Sequence, residues 1–309
     1  MANPAALLRV PLGSALEPIC GEIIAAYGRQ YLVECAAGGL LLCVPRGKKS
    51  LLACGDRVSV APTGPGQGVI DDAAPRATEF FRSAAHRTKL IAANATQVAV
   101  ICATDPSFSD ELVTRVLVAA QHQGLKALIV LNKSDLADKL DTAHARLAPF
   151  EQAGYPVIVM SATRDTGPLA RALEGEVTVL VGQSGMGKST LLNALVPEAN
   201  RATREISTFL ASGRHTTSHA RLYRSDDTAI IDCPGLQEFG LAHLAWSDIE
   251  AAFPEFSAHL GLCRFPDCRH RSEPGCALHA ACAEGRIHPR RMELFHRIAA
   301  AERAGAASR

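Results

Sequence analysis

Gly182-Gln183-Ser184-Gly185-Met186-Gly187-Lys188-Ser189 has the form G-x-x-x-x-G-K-S, and Thr190 follows it directly. An apolar run, Val177 to Val181, leads in, and a helix-forming stretch, Ser189 to Leu195, leads out. Glycines at these places let backbone N–H groups surround an anion, and the following helix adds its positive end. A lysine there reaches the β and γ phosphates of a nucleotide, and the serine hydroxyl ligates Mg²⁺. The chemistry is polyphosphate binding with Lys188 as the catalytic cation. The plain alternative, a Gly-rich turn before a helix, does not account for the whole pattern in this strand-to-helix setting.

Phosphate binding does not choose a base. Asn132-Lys133-Ser134-Asp135 follows the apolar run Ala127 to Leu131. A carboxylate at Asp135 can accept from both the N1–H and the exocyclic N2 amine of guanine. Adenine lacks the amine and presents a lone pair at N1, so the buried carboxylate would stand unpaired against it. Taken alone the tetrapeptide could be a helix cap; beside a P-loop it reads as a guanine site. Ser161-Ala162-Thr163, after the apolar run Val157 to Met160, fits a loop whose backbone N–H meets guanine O6. Asp232-Cys233-Pro234-Gly235 ends another apolar run and supplies the second Mg²⁺ and switch element, with Gly235 free to approach the γ phosphate. In ordinary GTPases the P-loop comes first. Here the base-reading motifs precede it, which is the order of a circularly permuted GTPase.

A second chemistry lies in the tail. Cys263, Cys268, His270 and Cys276 place three thiols and an imidazole within fourteen residues, a full four-coordinate zinc shell with no open position. Cys282 or His279 could replace one of the four. The remaining six cysteines are scattered singly through apolar stretches and read as small reduced hydrophobes.

These groups need elements to hold them. The chain has 309 residues, 48% apolar, 20% charged and 5% aromatic, which excludes disorder, collagen and coiled coil and allows two or three domains. No apolar run approaches the roughly 18 residues of a membrane span, and the start of the chain lacks a secretory pattern, so a cytoplasmic protein with no membrane partner is expected. Short apolar pieces punctuated by glycines from Gly21 to about Val60 predict a small antiparallel β-barrel. Asp71 to Lys89 reads as a charged linker. Strand-like and helical runs then alternate, as in a parallel α/β sheet, and a final helix spans Arg290 to Ala304. Residues 1–90 carry a net +3, 91–250 a net −5 and 251–309 a net +3. Basic ends around an acidic middle point to the ends as the polyanion-facing parts. Arg29, Arg46, Lys48, Lys49 and Arg57 are the basic candidates on the β domain, with Tyr31 for base stacking.

These motifs, in this order, resemble the ribosome small subunit-dependent GTPase A proteins of bacteria, from Gly21 to about Arg297. The resemblance implies an N-terminal tail (1–17), an OB-fold RNA-binding domain (18–76), a linker (77–92), a circularly permuted GTPase domain (93–250) and a small α-helical zinc-binding domain (251–309). It implies GTP and GDP as ligands, Mg²⁺ with the nucleotide, one structural Zn²⁺ per chain, and the 30S subunit with its 16S rRNA as partner of a monomer. Hydrolysis would be stimulated by the subunit and serve as a checkpoint late in its maturation. Gly213-Arg214-His215-Thr216-Thr217 looks like the family's switch I; Ser218 stands where a third threonine is expected, so the Mg²⁺ ligand is Thr217 or Thr216, with Thr217 preferred. Leu236 follows Gly235 where Ras-like enzymes carry a water-orienting glutamine, and leucine makes no hydrogen bonds. His215 is the nearest group able to take that role. Because Asp232 and its switch run directly into residues 239–262, nucleotide state is expected to move the C-terminal domain through that connection. Loss of residues 1–75 is expected to lower subunit-stimulated turnover much more than the intrinsic rate.

Overall fold

The computed structural model describes residues 18–47, 51–84, 87–197, 220–225, 227–233 and 238–307. The 1–17 tail, Lys48, Lys49, the 213–218 switch segment with His215, Thr216 and Thr217, and Pro234, Gly235 and Leu236 lie outside the described residues.

Five short strands open the chain: β1 (Ile19–Tyr27), β2 (Gln30–Cys35), β3 (Leu40–Pro45), β4 (Arg57–Gly64) and β5 (Gln67–Ala73). They pair in the order β1-β2-β3-β5-β4, and β4 returns to β1 to close a barrel. Alternation along the strands sends Ile23, Val33, Leu41, Val58, Val60 and Ile70 inward. Tyr31 goes with them and is buried, so it is not available to stack on a base. Cys35, Cys43, Cys54, Cys102 and Cys233 are buried free thiols, as their apolar settings require, whereas Cys20 is exposed.

The stretch read as a charged linker folds. Strands β6 (Glu79–Ala84) and β7 (Arg87–Ala93) form an antiparallel hairpin. Charge alone suggested a linker, but the ribbon has a packed face: Phe80 is fully buried against Phe239.

The α/β sheet follows: β8 (Gln97–Ala103), α1 (Asp110–His122), β9 (Lys126–Asn132), α2 (Ala137–Gln152), β10 (Val157–Val159), α3 (Gly167–Leu173), β11 (Val177–Gly182), α4 (Lys188–Leu195), β12 (Arg221–Ser225) and β13 (Thr228–Asp232). The strand order is β10-β9-β8-β11-β13-β12, parallel except for β12. Every residue of β8 is buried, as in a central parallel strand covered on both faces. Beyond β12 the sheet continues into the barrel, since β12 also pairs with β1 at Arg221 and Ala25. The C-terminal part holds α5 (Trp246–Ala251), a 3₁₀ turn (Pro254–Phe256), α6 (Ala277–Ala283) and α7 (Pro289–Ala307) around Phe253, Phe256 and Phe295. Among the described residues no helix is long and apolar enough to cross a membrane.

Candidate nucleotide-binding site and metal centre

All the described nucleotide motifs sit at the C-terminal ends of parallel strands, where α/β sheets bind ligands. Strand β11 delivers Gly182 between β8 and β13, and the loop turns into α4, whose first residue is Lys188. Gly187 caps that helix at φ +87°, and a Cβ there would lie 2.4 Å from Asn132 Nδ2. Only glycine satisfies both the conformation and the approach. Ser184, Gly185, Ser189 and Thr190 are exposed, whereas Met186 is buried and anchors the loop in the core.

Asn132 joins the two halves of the site. Its Nδ2 donates to Met186 O at 3.0 Å, and its Oδ1 accepts from Ala162 N at 2.9 Å. One buried amide thus ties the phosphate loop to the 161–163 loop, a role beyond its place in the N-K-x-D motif. Lys133 is held at φ +62° and donates from Nζ to Asp105 O at 2.7 Å. Asp135 is half-exposed, and its carboxyl is held below its ordinary range, foremost by a hydrogen bond with Ser161. Ser161 is itself buried. The carboxylate stays ionised at neutral pH and is held by that bond to Ser161.

At the phosphate end Lys188 is buried, and its Nζ donates to Gly182 O at 2.8 Å. Burial pushes its pKa down, with the Asp232 charge opposing. Burial likewise raises the Asp232 carboxyl to about 6, with Lys188 opposing. Each group prefers a charged partner over dehydration alone, which suits a pair that meets phosphate and a divalent cation. Gln183 faces away from this end: its Oε1 accepts from Ser109 N at 2.8 Å.

The tail cluster closes on itself. Donor atoms of Cys263, Cys268, His270 and Cys276 all lie within 4.8 Å of one another. Cys263 and Cys276 sulfurs are 4.0 Å apart, and His270 Nδ1 stands 3.5, 3.6 and 3.3 Å from the sulfurs of Cys263, Cys268 and Cys276. Tetrahedral zinc, with Zn–S about 2.3 Å and Zn–N about 2.0–2.1 Å, sets those edges near roughly 3.8 and 3.5 Å. The donor set therefore fits. Cys282 and His279 stand outside the group of four. His270 Nε2 meets Glu250 Oε1 at 2.6 Å, an orienting carboxylate that fixes which nitrogen faces the sulfurs. Glu250 lies twenty residues upstream on α5, and no local spacing announced it.

A parallel sheet in which the base-reading strands precede the P-loop strand in the chain, with a β-barrel before it and a Cys₃His cluster after it, defines a circularly permuted P-loop GTPase with two accessory modules. The chain belongs to the RsgA GTPase family, whose profile matches residues 73–242. It is 51% identical to the small ribosomal subunit biogenesis GTPase RsgA of Nitrosospira multiformis, over 92% of this chain and 91% of that protein. The protein of the same name from Nitrosomonas europaea is 48% identical over 91% of this chain and 90% of its own length. Among solved structures, YjeQ from Thermotoga maritima is similar at TM-score 0.71 and 27% identity, covering 92% of this chain and 98% of that one. YloQ, titled a circularly permuted GTPase, matches in fold at TM-score 0.68 and 23% identity, over 96% and 98% of the two chains.

Proposed function

We propose that this GTPase binds the small ribosomal subunit through its rRNA, hydrolyses GTP when the subunit stimulates it, and leaves on hydrolysis, a checkpoint late in subunit maturation in the cytoplasm. The observation that carries the reading is the near-complete match to relatives that bear the name small ribosomal subunit biogenesis GTPase. Within it, Asp135 reads guanine N1–H and N2, and the backbone at Ser161 and Ala162 meets O6. Residues 182–190 hold the phosphates, with Lys188 donating to the β and γ oxygens in place of Gly182 O. When bound, Mg²⁺ neutralises charge that builds on those phosphates. Ser189 and Thr217 are its protein ligands in this reading, with Asp232 and Gly235 completing the γ-phosphate end.

Leu236 cannot orient water, so His215 takes that role in the GTP state. Cys263, Cys268, His270 and Cys276 hold one zinc, which braces a segment too small to have much core of its own. The chain acts as a monomer whose domains are a barrel at 18–76 that faces RNA, a connection at 77–92 built as the β6–β7 hairpin, the GTPase at 93–250 and the zinc-binding part at 251–309. The deciding measurement is the GTPase rate with and without purified 30S subunits, alongside co-sedimentation in the GTP and GDP states. Stimulation by at least tenfold and retention only in the GTP state are expected; equal rates would leave a GTPase whose partner is something else.

A further inference from the structure

The loop at 104–109 between β8 and α1 belongs to no nucleotide motif, yet it touches two of them. Thr104 Oγ1 donates to Lys133 O at 2.9 Å, and Lys133 Nζ donates back to Asp105 O. On the other side Ser109 N donates to Gln183 Oε1 at 2.8 Å, inside the phosphate loop. Ser109 also caps α1, its hydroxyl accepting from Leu112 N at 3.2 Å.

The next residue, Asp110, is a buried carboxylate clasped by two arginines. Arg146 of α2 donates to Oδ1, and Arg290 of α7 donates to Oδ2 from Nη2 at 2.7 Å and Nε at 3.2 Å. Arg146 in addition bonds Ser107 Oγ at 2.6 Å and Phe108 O at 2.7 Å and lies over the Phe108 ring. The loop is thus tied at Thr104, Asp105, Ser107, Phe108 and Ser109, and one arginine of the clasp beside it comes from the C-terminal helix.

We infer that Gln183 is a positioning residue for the phosphate loop, and that Arg290, acting through Asp110 and Ser109, fixes the loop that Gln183 grips. A glutamine side chain in a phosphate-binding loop would ordinarily be free to turn toward solvent or ligand. Here it accepts the N–H of a helix cap whose neighbour is locked by a two-arginine clasp, so the loop's first turn is held by the C-terminal helix as well as by its own strand. The inference rests on the reading of 182–189 as the phosphate site.

The test is release of a fluorescent GDP analogue from the full chain without subunits, with steady-state GTP hydrolysis measured in parallel. Gln183→Met removes the acceptor at nearly constant volume, and Arg290→Gln removes half the clasp. Each should speed release about tenfold, the scale of one hydrogen bond lost together with its stranded partner, and Arg290→Gln, which lies outside the nucleotide site, should raise KM while kcat stays within about twofold. Because the two act on one chain of contacts, the double variant should release at about the rate of a single one. Arg115→Gln cuts a different α1–α7 ion pair, with Glu302, and should lower Tm comparably while leaving release unchanged. Parental release in Arg290→Gln, multiplied effects in the double variant, or equal acceleration by Arg115→Gln would overturn the inference. A parental chain that holds no GDP would instead overturn the phosphate-site reading, and the inference with it.

Discussion

Asp135 was legible as a candidate base reader because that proposed role needs only a type and a spacing: an acceptor three places after an asparagine at a strand end. Asn132 was half legible. Its place in the motif could be read, but the two bonds to Met186 and Ala162 join parts of the chain 54 and 30 residues away and exist only once β8 to β11 are assembled. Glu250 was not legible at all, since its partner His270 lies across a helix and a loop. Asp135→Asn should weaken GTP binding by on the order of a hundredfold, the loss of charged hydrogen bonds to two donors. It should also favour xanthosine triphosphate, whose O2 accepts from an amide. Competition binding with the two nucleotides measures this, and an unaltered preference for guanine would remove Asp135 from the base site. His215 stands on sequence alone, beside a leucine where a water-orienting amide would be. His215→Ala should leave GTP affinity intact, lower the subunit-stimulated rate about a hundredfold, and trap the chain on the subunit. Hydrolysis at the parental rate would assign the water to RNA or to another side chain.

Elements were legible where the pattern was strong and long. The β8, β9 and β11 runs and helices α1, α2 and α7 lie within a few residues of expectation, because continuous apolar runs and 3.6-residue periodicity are local signals. Strand β12, Arg-Leu-Tyr-Arg-Ser, was missed because it is short and polar; it is a strand because β13 and β1 flank it, not because of its own composition. The β6–β7 hairpin was taken for a linker on its charge. Its reciprocal backbone bonds between Ser83 and Gly240, at 2.8 and 2.7 Å, bind it to the chain just after the 234–237 segment. The tail loop's candidate ligands were legible by spacing and its helix α6 was not, since seven residues, Ala277–Ala283, are too few to show a helical period. Here the geometry sharpens a choice: Cys282→Ser should still hold about one zinc per chain, whereas Cys268→Ser should lose it and loosen residues 263–283. Metal analysis and amide exchange read both, and zinc loss in the Cys282 variant would require a different ligand set.

At the scale of the molecule, the barrel and the GTPase share one sheet. Arg224 of β12 pairs with Glu34 at 2.8 Å and with Glu22, both on barrel strands. Arg76 bonds the buried Asp56 at 2.6 Å, and Gly55 sits at φ +89° with Ala93 O only 2.1 Å from where a Cβ would be. The barrel loop is therefore welded to the end of β7. The C-terminal part is held in turn by Arg290 on Asp110 and Arg115 on Glu302. A nucleotide-driven swing of that part through residues 239–262 alone would have to break these pairs with α1, so the base-reading half restrains it too. The same continuity undermines truncation as a probe of RNA binding: removing residues 1–75 would strip β12 of a neighbour, bare the Arg224 guanidinium and lower stability and intrinsic rate together. Charge reversal on the exposed barrel face separates the two effects. Arg29 and Arg57 are exposed, and neither takes part in the barrel–GTPase ion pairs named above. Arg29→Glu with Arg57→Glu should leave Tm and the intrinsic GTPase rate near parental, because no buried partner is lost. Subunit affinity should fall, and the slope of log affinity against log salt should flatten by about one for each phosphate contact removed. If stimulated turnover and salt slope both match the parental chain, the RNA-facing surface lies elsewhere, and the barrel serves to brace β12.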